Sequence, residues 1–233
     1  MSGIGIRIGS LTLGQRPAIA VPLTNVDIER LDTLHGADLI ELRIDMFEGH
    51  LSQQGVMAAF TMARGRFDAP IIATCRSTDE GGVRPFTDNE RLEILSLVTP
   101  LSDAVDIEIN SAIAPDVIKL VKEAGKTVIT SYHDFKRTPP LKELDAIIAR
   151  CKEAGTHITK IAVMANSQDD VETMRRFTLN HHNDDIITIS MGSIGMGSRV
   201  LFPKIGSLLT FASIKTVSAL GQMSIHEVIK HLR

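Results

Sequence analysis

Cysteine is scarce in this sequence, which contains only Cys75 and Cys151 in 233 residues. Two thiols so far apart are too few for a disulfide framework or a clustered metal site, and no spacing typical of zinc or iron ligands occurs. Such scarcity is typical of proteins from a reducing compartment, so we expect a cytoplasmic location. Both side chains are expected to act as small buried hydrophobes.

The sequence also lacks an excess of basic charge and any long apolar segment. Its formal net charge is −3, with no block of basic residues, so neither a nucleic acid nor a membrane surface is an expected partner. No segment approaches the roughly 18 continuous apolar residues of a membrane-spanning helix. Residues 1–14 lack the basic and apolar regions of a secretion signal. Any anionic ligand must therefore be held by local arginines.

What the sequence does contain is typical of a folded globular protein, with 43% hydrophobic and 23% charged residues. Short apolar runs rich in β-branched residues recur along it, separated by segments with helical periodicity. Eight of these runs are predicted strands: AIAVPL (18–23), LIELRID (39–45), PIIATCRS (70–77), AVDIEIN (104–110), KTVITSYHD (126–134), HITKIAVMA (157–165), DIITISM (185–191) and SLLTFAS (207–213).

The alternation of strands and helices predicts the fold. Strands that alternate with helices form a parallel sheet, and eight such units in about 210 residues predict an α/β protein with one (β/α)8 TIM barrel domain over residues 1–233. An open doubly wound sheet is the alternative. GIRIG (5–9) and LTLG (11–14) predict a small N-terminal hairpin that closes the bottom of the barrel. Thr87 is a predicted helix N-cap, and Gly125 and Gly155 are predicted to end helices.

Charged residues lie in the second predicted strand, LIELRID. Glu41, Arg43 and Asp45 share one face of this strand, whereas the apolar residues between them share the other and are expected to face the helices. Two carboxylates and one guanidinium therefore point into the barrel, where unpaired charge is costly but an alternating network is not. They form either a structural layer of ion pairs or part of a ligand site, and Arg43, nearer the strand's exit, favours the ligand site.

Two further strands end in groups suited to binding or acid–base chemistry. Arg76 ends the third predicted strand and precedes a loop that contains Glu80; it is either a solvated arginine or a ligand contact. His133 ends the fifth strand in SYHDF, in phase with Ser131, so its imidazole should face the mouth of the barrel. A histidine can titrate near neutral pH, which makes it a candidate general acid or base.

Lys160 is the least expected residue of the sixth predicted strand. It shares a face with Ile158, Ala162 and Met164, and a lysine in a buried strand must be paired, neutral or used chemically. Since a neutral amine attacks carbonyl groups, Lys160 is a candidate nucleophile. A structural ion pair with Asp106 or Glu108 of the fourth strand is the alternative.

The last two units supply a glycine-rich rim. SMGSIGMGSR (190–199) ends at Arg199. SALGQ (218–222) follows the last strand and contains Ser218 and Gln222. One interpretation is a phosphate site at a helix start, although no nucleotide-binding glycine pattern is present. The other is a clamp in which Arg199 binds a carboxylate and a loop over residues 218–222 closes as a lid. Charge alone does not distinguish them.

Together these motifs resemble one known family. The set ELRID, TCRS with a following Glu, SYHDF, KIAVMA, SMG with a following SR, GSLLTFAS and SALGQ, in this order, is similar to the type I 3-dehydroquinate dehydratases of the shikimate pathway. The resemblance spans about residues 17–225. It implies a (β/α)8 barrel, a homodimer, and a lyase that dehydrates the small-molecule substrate 3-dehydroquinate to 3-dehydroshikimate through an imine, with no metal and no cofactor.

The resemblance also implies roles for individual residues. Lys160 would form the Schiff base and His133 would be the acid and base, with Glu80 orienting the histidine. Arg199 would hold the substrate carboxylate. The remaining implied substrate contacts are Glu41, Arg43 and Arg76 on the ring hydroxyls and Ser218 and Gln222 on the lid.

Two positions depart from the family pattern. The lid motif is commonly SAPGQ, and Leu220 replaces its proline here, which frees the backbone at that point. Pro22 stands where some members carry a serine, so a substrate hydrogen bond from that position is not expected.

Two other functions are compatible with the sequence. A class I aldolase acting on a sugar phosphate would also use a lysine imine in a barrel. A binding or scaffold domain without catalysis would need Lys160 only as a structural partner of Glu108.

Overall fold

The computed structural model describes residues 5–215 and 218–233. Its N-terminal hairpin consists of β1 (Arg7–Ile8) and β2 (Leu11–Thr12). Eight parallel strands follow within the described residues: β3 (Ala18–Leu23), β4 (Leu39–Arg43), β5 (Ile71–Thr74), β6 (Ala104–Glu108), β7 (Thr127–Asp134), β8 (Ile158–Met164), β9 (Ile186–Met191) and β10 (Leu209–Phe211). The single-domain prediction also included residues 1–4 and 216–217, which lie outside the described residues.

Helices separate the strands and cover the outside of the sheet. They are α1 (Asn25–Arg30), α2 (Gln53–Arg66), α3 (Asp88–Val98), α4 (Ala114–Glu123), α5 (Leu141–Glu153), α6 (Gln168–Asn180), the short α7 (Gly192–Gly195), α8 (Ser198–Lys204) and α9 (Ile225–Leu232). In these described parts of the chain, each helix is too short or too polar to cross a membrane.

Helix ends follow the predicted signals. The Thr87 side chain caps α3 by accepting a hydrogen bond from the backbone N–H of Glu90. Gly125 and Gly155 follow α4 and α5 with φ of 66° and 83°, which is the left-handed region that glycine adopts readily.

The sheet closes into the predicted barrel. Its order is β10-β3-β4-β5-β6-β7-β8-β9, so the last strand pairs with the first, Leu209 opposite Ala18. Between β9 and β10 a few bonds complete the ring: Leu208 N–H donates to Ile186 O over 2.8 Å, and Thr188 N–H donates to Ser207 Oγ over 3.0 Å. The open-sheet alternative is therefore wrong, and the (β/α)8 prediction is confirmed.

The hairpin closes the bottom of the barrel, as predicted. Ile8 and Leu13 are buried in one cluster with Ala18, Leu39 and Ala104, which point inward from the first layer of the strands. Apolar side chains therefore fill the lower barrel. The charged residues of the interior lie above this layer, toward the carboxyl ends of the strands.

Several predicted strands end earlier in the structure, and the second and third do so for a visible reason. After Arg43 the chain turns into a 3-10 helix, Ile44–Met46, which folds Asp45 back toward the strand it leaves. The backbone N–H of Arg76 donates to the Asp45 carboxylate over 3.4 Å, so β5 ends at Thr74. At the rim of the barrel, the Asp45 carboxylate therefore takes the place of a neighbouring strand as the acceptor of the Arg76 backbone N–H. Leu42 and Ile44 pack outward in the core beneath the helices, as their alternation predicted.

Candidate active site

A cavity opens at the carboxyl ends of the barrel strands and brings most of the predicted site residues together. Its volume is about 70 Å³, several times the roughly 10–15 Å³ that a cavity needs to hold one water, so it has room for more than a single water. It is lined by Glu41, Arg43, Arg76, Glu80, Gly81, His133, Phe135, Lys160, Ala162, Ile189, Met191, Arg199, Phe211, Ser218 and Ala219. Of the predicted residues, Gln222 lies outside this lining.

Lys160 projects from the middle of β8 into the cavity and is 5% exposed. Its Nζ lies 3.0 Å from Asp106 Oδ2 and 3.9 Å from Glu41 Oε1. The same nitrogen lies 4.5 Å from the centre of the Phe211 ring, a cation–π distance. The amine is therefore held between carboxylates and an aromatic face, with the cavity above it.

The Asp106 carboxylate lies at the bottom of the cavity, below Lys160. Arg76 Nη2 donates to its Oδ1 over 2.7 Å, and the Ser131 hydroxyl donates to the same oxygen over 2.7 Å. Burial alone would raise the pKa of Asp106, but Arg76 and Lys160 hold that pKa well below its ordinary value. Asp106 is thus a permanent anion beside the amine. The structural pairing considered for Lys160 is present, with Asp106 as the partner.

His133 lies near the end of β7 and is fixed by Glu108 of β6. Its backbone N–H donates to Glu108 Oε1 over 2.8 Å, and its ring Nδ1 lies 2.7 Å from Glu108 Oε2. Burial opposes ionisation of Glu108, yet His133 and Arg76 hold the pKa of this carboxyl below its ordinary value. An ionised carboxylate only accepts hydrogen bonds, so Nδ1 must carry the proton and Nε2 is left with its lone pair.

The imidazole is 11% exposed and stacks on Phe135, with ring centroids 5.9 Å apart and planes 12° apart. Burial lowers the pKa of His133, since its effect and that of nearby Arg76 exceed the opposing effect of Glu108. The ring is therefore neutral at neutral pH. A neutral imidazole with a free Nε2 can accept a proton.

Glu80, which the sequence predicts to orient His133, bonds to other groups in this structure, and its orienting role stays a prediction. Its carboxylate pairs with Arg91 Nη2 over 3.0 Å and accepts the backbone N–H of Ser77 over 3.3 Å, whereas Glu108 contacts the histidine. The short 3-10 helix Thr78–Glu80 aims the carboxylate at Arg91. Burial raises the pKa of Glu80. Glu80 still lines the cavity, but another carboxylate contacts the imidazole.

The charged face of β4 lies inside the barrel as its alternation predicted. Arg43 donates to both oxygens of Asp45, from Nε over 2.9 Å and from Nη2 over 2.8 Å, and Glu41 accepts the Thr74 hydroxyl over 2.8 Å. Both interpretations of this strand hold in part. Asp45 is buried as a structural partner, whereas Glu41 and Arg43 reach the cavity.

Arg199, from α8, differs from the other cations of the site. It is 2% exposed and, among the described residues, has no carboxylate within ion-pair distance. Its Nη1 and Nη2 donate to the carbonyl oxygens of Phe211 and Leu220 over 3.4 and 3.3 Å, while its Nε is buried without a partner in the described chain. Burial lowers the pKa of Arg199 to about 10, so it remains charged at neutral pH.

The loop over residues 218–222, which is the predicted lid, borders the cavity through Ser218 and Ala219. Gln222 Oε1 accepts the backbone N–H of Ser218 over 2.8 Å, so Gln222 supports the loop from behind while Ser218 faces the cavity. Arg43 Nη1 donates to the Ser218 carbonyl oxygen over 3.5 Å. With the bond from Arg199 to Leu220, two cationic groups of the cavity hold the loop.

The glycines after β9 allow close packing. Gly192 has φ of 82°, and a side chain on Gly195 would collide with the backbone of Ser190. The helix they form, Gly192–Gly195, has four residues, too few to aim a set of backbone amides at a phosphate. Its local structure therefore favours the carboxylate interpretation of the rim.

Four residues of the site were not assigned a role in ligand chemistry from the sequence: Asp106, Glu108, Phe135 and Phe211. Asp106 and Glu108 alternate on β6 with the inward parity of Ala104, so strand parity alone could have placed them inside the barrel. Their partners depend on strand register. Glu108 lies opposite Ser131, and Ser131 lies opposite Lys160.

Comparisons with known proteins agree with this geometry. Residues 19–233 match the family model described as type I 3-dehydroquinase. A 3-dehydroquinate dehydratase from Thermodesulfovibrio yellowstonii is 40% identical over 215 residues, which cover 91% of this chain and 93% of that protein.

Solved structures of similar proteins share the fold. The 3-dehydroquinate dehydratase from Geobacillus kaustophilus has a TM-score of 0.90 at 28% identity, covering 99% of this chain and 96% of that one. A type I 3-dehydroquinate dehydratase from Clostridium difficile, described with covalent modified comenic acid, has a TM-score of 0.88 at 30% identity over 97% and 95% of the two chains. This chain belongs to the type I 3-dehydroquinase family.

Proposed function

We propose that this protein is a hydro-lyase that dehydrates 3-dehydroquinate to 3-dehydroshikimate through a Schiff base on Lys160. The observation that carries the proposal is the shared cavity in which the buried amine of Lys160 and the imidazole of His133 face the same space. Family membership, and the activity for which the relatives are named, support the same reaction.

Imine formation explains why an amine lies at the base of the cavity. The Lys160 nitrogen attacks the ketone carbon of the substrate, the carbonyl oxygen leaves as water, and a protonated imine remains. The positive nitrogen then draws electrons from the neighbouring carbon, which makes the C–H bond next to the imine more acidic. This is the step that a general base must complete.

His133 is suited to that step. Its Nδ1 is committed to Glu108, so Nε2 takes the proton from the carbon next to the imine and the electron pair forms an enamine. The same nitrogen then returns a proton to the departing hydroxyl group, which leaves as water. Hydrolysis of the imine by a second water releases the product and restores Lys160.

Arg199 is the proposed partner of the substrate carboxylate. A buried guanidinium with no carboxylate partner among the described residues is costly unless a ligand supplies the anion. A carboxylate binds the planar group through two hydrogen bonds. Glu41, Arg43 and Arg76 would contact the ring hydroxyls and fix the pose, with Ser218 and Gln222 on the lid.

Borohydride trapping tests the proposal directly. With 3-dehydroquinate and borohydride, the protein should gain one reduced adduct on Lys160, identified by peptide mass, and should produce the conjugated enone in the absence of borohydride. Lys160→Ala should abolish both. A protein that stays unmodified, or is modified at another lysine, contradicts the mechanism.

The same assay separates dehydration from an aldolase function. A class I aldolase would be trapped by a phosphorylated ketone and would leave 3-dehydroquinate unchanged. A scaffold domain would be trapped by neither compound.

We also propose that the protein is cytoplasmic, that it forms a homodimer, and that residues 1–233 make one domain. Buried, unpaired thiols at Cys75 and Cys151 support the first proposal. Pairing of the last barrel strand with the first supports the single domain. Sedimentation of the purified protein over a range of concentrations tests the dimer, and a single monomer species throughout would contradict it.

A further inference from the structure

We propose that Asp106 is a catalytic residue: its carboxylate is the counter-ion that keeps the imine nitrogen of Lys160 protonated. This inference rests on the proposed Schiff-base function and assigns a role that the family resemblance did not supply. It follows from the position of the carboxylate, which lies beneath the reacting nitrogen and faces no solvent.

The contacts of Asp106 divide between its two oxygens. Oδ2 faces Lys160 Nζ at 3.0 Å, while Oδ1 accepts hydrogen bonds from Arg76 and Ser131. The residue is 2% exposed. One oxygen therefore anchors the side chain, and the other remains directed at the nitrogen that becomes the imine.

Asp106 is better placed than the other carboxylates near this nitrogen. Glu41 lies 3.9 Å from Nζ and already accepts the Thr74 hydroxyl through the same oxygen, Oε1. Glu108 is committed to the backbone and ring of His133. Neither of these carboxylates has an oxygen at hydrogen-bond distance from the amine.

The anchoring contacts also decide whether Asp106 acts as a counter-ion or as a base. A carboxylate that takes the imine proton would leave a neutral imine, which is a poor acceptor of electrons. Because Arg76 and Lys160 hold the pKa of Asp106 well below its ordinary value, against the effect of burial, the carboxylate does not take that proton. The proton stays on nitrogen, and the carboxylate balances its charge.

The proposed step conserves charge. His133 Nε2 removes the proton from the carbon next to the imine, the released pair forms a carbon–carbon double bond, and the C=N π pair moves to nitrogen. The nitrogen becomes a neutral enamine while keeping its proton and its hydrogen bond to Asp106. Within the described residues, the other charged or titratable groups that act on this nitrogen or its counter-ion are Glu41, Arg76 and His133, and Glu108 shares the Ser131 hydroxyl with the counter-ion.

Nitrogen-15 NMR measures the protonation state directly. In protein labelled with 15N-lysine and carrying His133→Ala, 3-dehydroquinate should accumulate as the imine, because its formation does not need the imidazole. We expect the imine nitrogen to stay protonated between about pH 6 and pH 9. Loss of the proton within this range, in protein that retains Asp106, would overturn the inference, whether or not any Asp106 variant folds.

A substitution adds a kinetic readout. In otherwise unaltered protein, Asp106→Asn should still form the borohydride adduct but lose about 100-fold or more in kcat, because without the carboxylate most of the imine loses its proton and a neutral imine is a poor acceptor of electrons. Its kcat should fall further as pH rises, since the imine then loses its proton.

The matched control is Asp45→Asn, which removes an equally buried carboxylate that binds Arg43 instead of Lys160. It should raise KM and leave the pH dependence of kcat unchanged. Equal pH profiles for Asp106→Asn and wild type would reject the counter-ion role. Absence of any lysine adduct in the wild type would instead reject the proposed function.

Discussion

Glu108 holds His133 at two points, accepting the backbone N–H at Oε1 over 2.8 Å and contacting ring Nδ1 with Oε2 over 2.7 Å. This pairing joins two neighbouring parallel strands at the level of the cavity. It fixes which ring nitrogen carries the proton. The reactive nitrogen of the proposed acid–base group is therefore decided by a residue on another strand.

Glu108→Gln is expected to slow dehydration much more than Glu80→Gln. Loss of the fixed tautomer should reduce kcat by about 10²- to 10⁴-fold. Since Glu108 raises the pKa of His133, the acid limb of the kcat/KM profile should also move to lower pH in this variant. Steady-state rates across pH check both effects, and a larger loss in Glu80→Gln would show that Glu80 orients the histidine, as the family resemblance implies.

Arg199→Lys is expected to weaken substrate binding. The ammonium keeps the charge but loses the two-pronged geometry, and one charge-assisted hydrogen bond contributes about 1.5–3 kcal/mol, so KM should rise roughly 10- to 100-fold. Arg175→Lys is the control, because Arg175 pairs with Glu172 on the exposed face of α6 and should leave KM unchanged. An unaltered KM in Arg199→Lys would show that the substrate carboxylate does not bind at Arg199.

Gly81 and Gly49 have nearly the same backbone conformation, so comparing alanine variants at the two positions measures the effect of the contact between residue 81 and Phe135. Gly81 and Gly49 have φ of 81° and 79°, so alanine at either should cost about 1–2 kcal/mol in unfolding free energy. At Gly81 the added Cβ also meets the Phe135 ring, whereas at Gly49 it meets no atom within 4 Å. Gly81→Ala should therefore destabilise more and also lower kcat, by moving Phe135 off the imidazole. Urea unfolding and initial rates measure both, and equal effects at the two positions would contradict the expectation.

Acid should destabilise the barrel partly through Glu108. The pKa of this carboxyl is lower in the folded protein than in the unfolded chain, so its contribution to stability is present above the unfolded value of about 4.3 and is lost as pH falls through the folded value. Urea titrations at a series of pH values should show a weaker loss of stability with acid in Glu108→Gln. Glu93→Gln, at an exposed position of α3, should follow the wild type. A curve for Glu108→Gln identical to that of the wild type would exclude this contribution of Glu108 to acid sensitivity.

Leu220→Pro should stabilise the lid without new contacts. Leu220 is 56% exposed, and its carbonyl oxygen, which a proline keeps, accepts the bond from Arg199. Restricting the unfolded chain contributes about 0.4–1 kcal/mol, so Tm should rise by about 1–4 °C. Leu220→Ala removes the same side chain without fixing φ and serves as the control. Calorimetry in which the proline variant melts below the alanine variant would show that the loop conformation rejects proline.

Much of this architecture follows from short-range pattern. The period of two in LIELRID and KIAVMA fixed which side chains of β4 and β8 face inward, and those faces agree with the structure. The period of two extends to Asp106 and Glu108, although nothing in the sequence favours one partner over another for either residue. Alternation determines a face, because each strand residue has only two directions available.

Contacts between strands were harder to predict. Glu80 and Glu108 are both glutamates at suitable distances along the sequence from His133, and sequence spacing does not tell which lies beside the ring. The register that places Glu108 opposite Ser131, and the 3-10 turn that sends Glu80 to Arg91, are properties of the folded backbone. The Phe211 ring over Lys160 likewise depends on closure of the barrel, since β10 lies far from β8 in sequence.

The way the ring of strands closes has a consequence for biosynthesis. The first strand, β3, takes the last, β10, as its neighbour, and a few hydrogen bonds around Leu208 complete the seam with β9. While the chain emerges from the ribosome, one edge of β3 stays unpaired until β10, near the end of the sequence, has been synthesised. Truncation before residue 209 would leave two open edges able to recruit strands from other nascent chains, so aggregation of incomplete protein is the hazard that this topology carries.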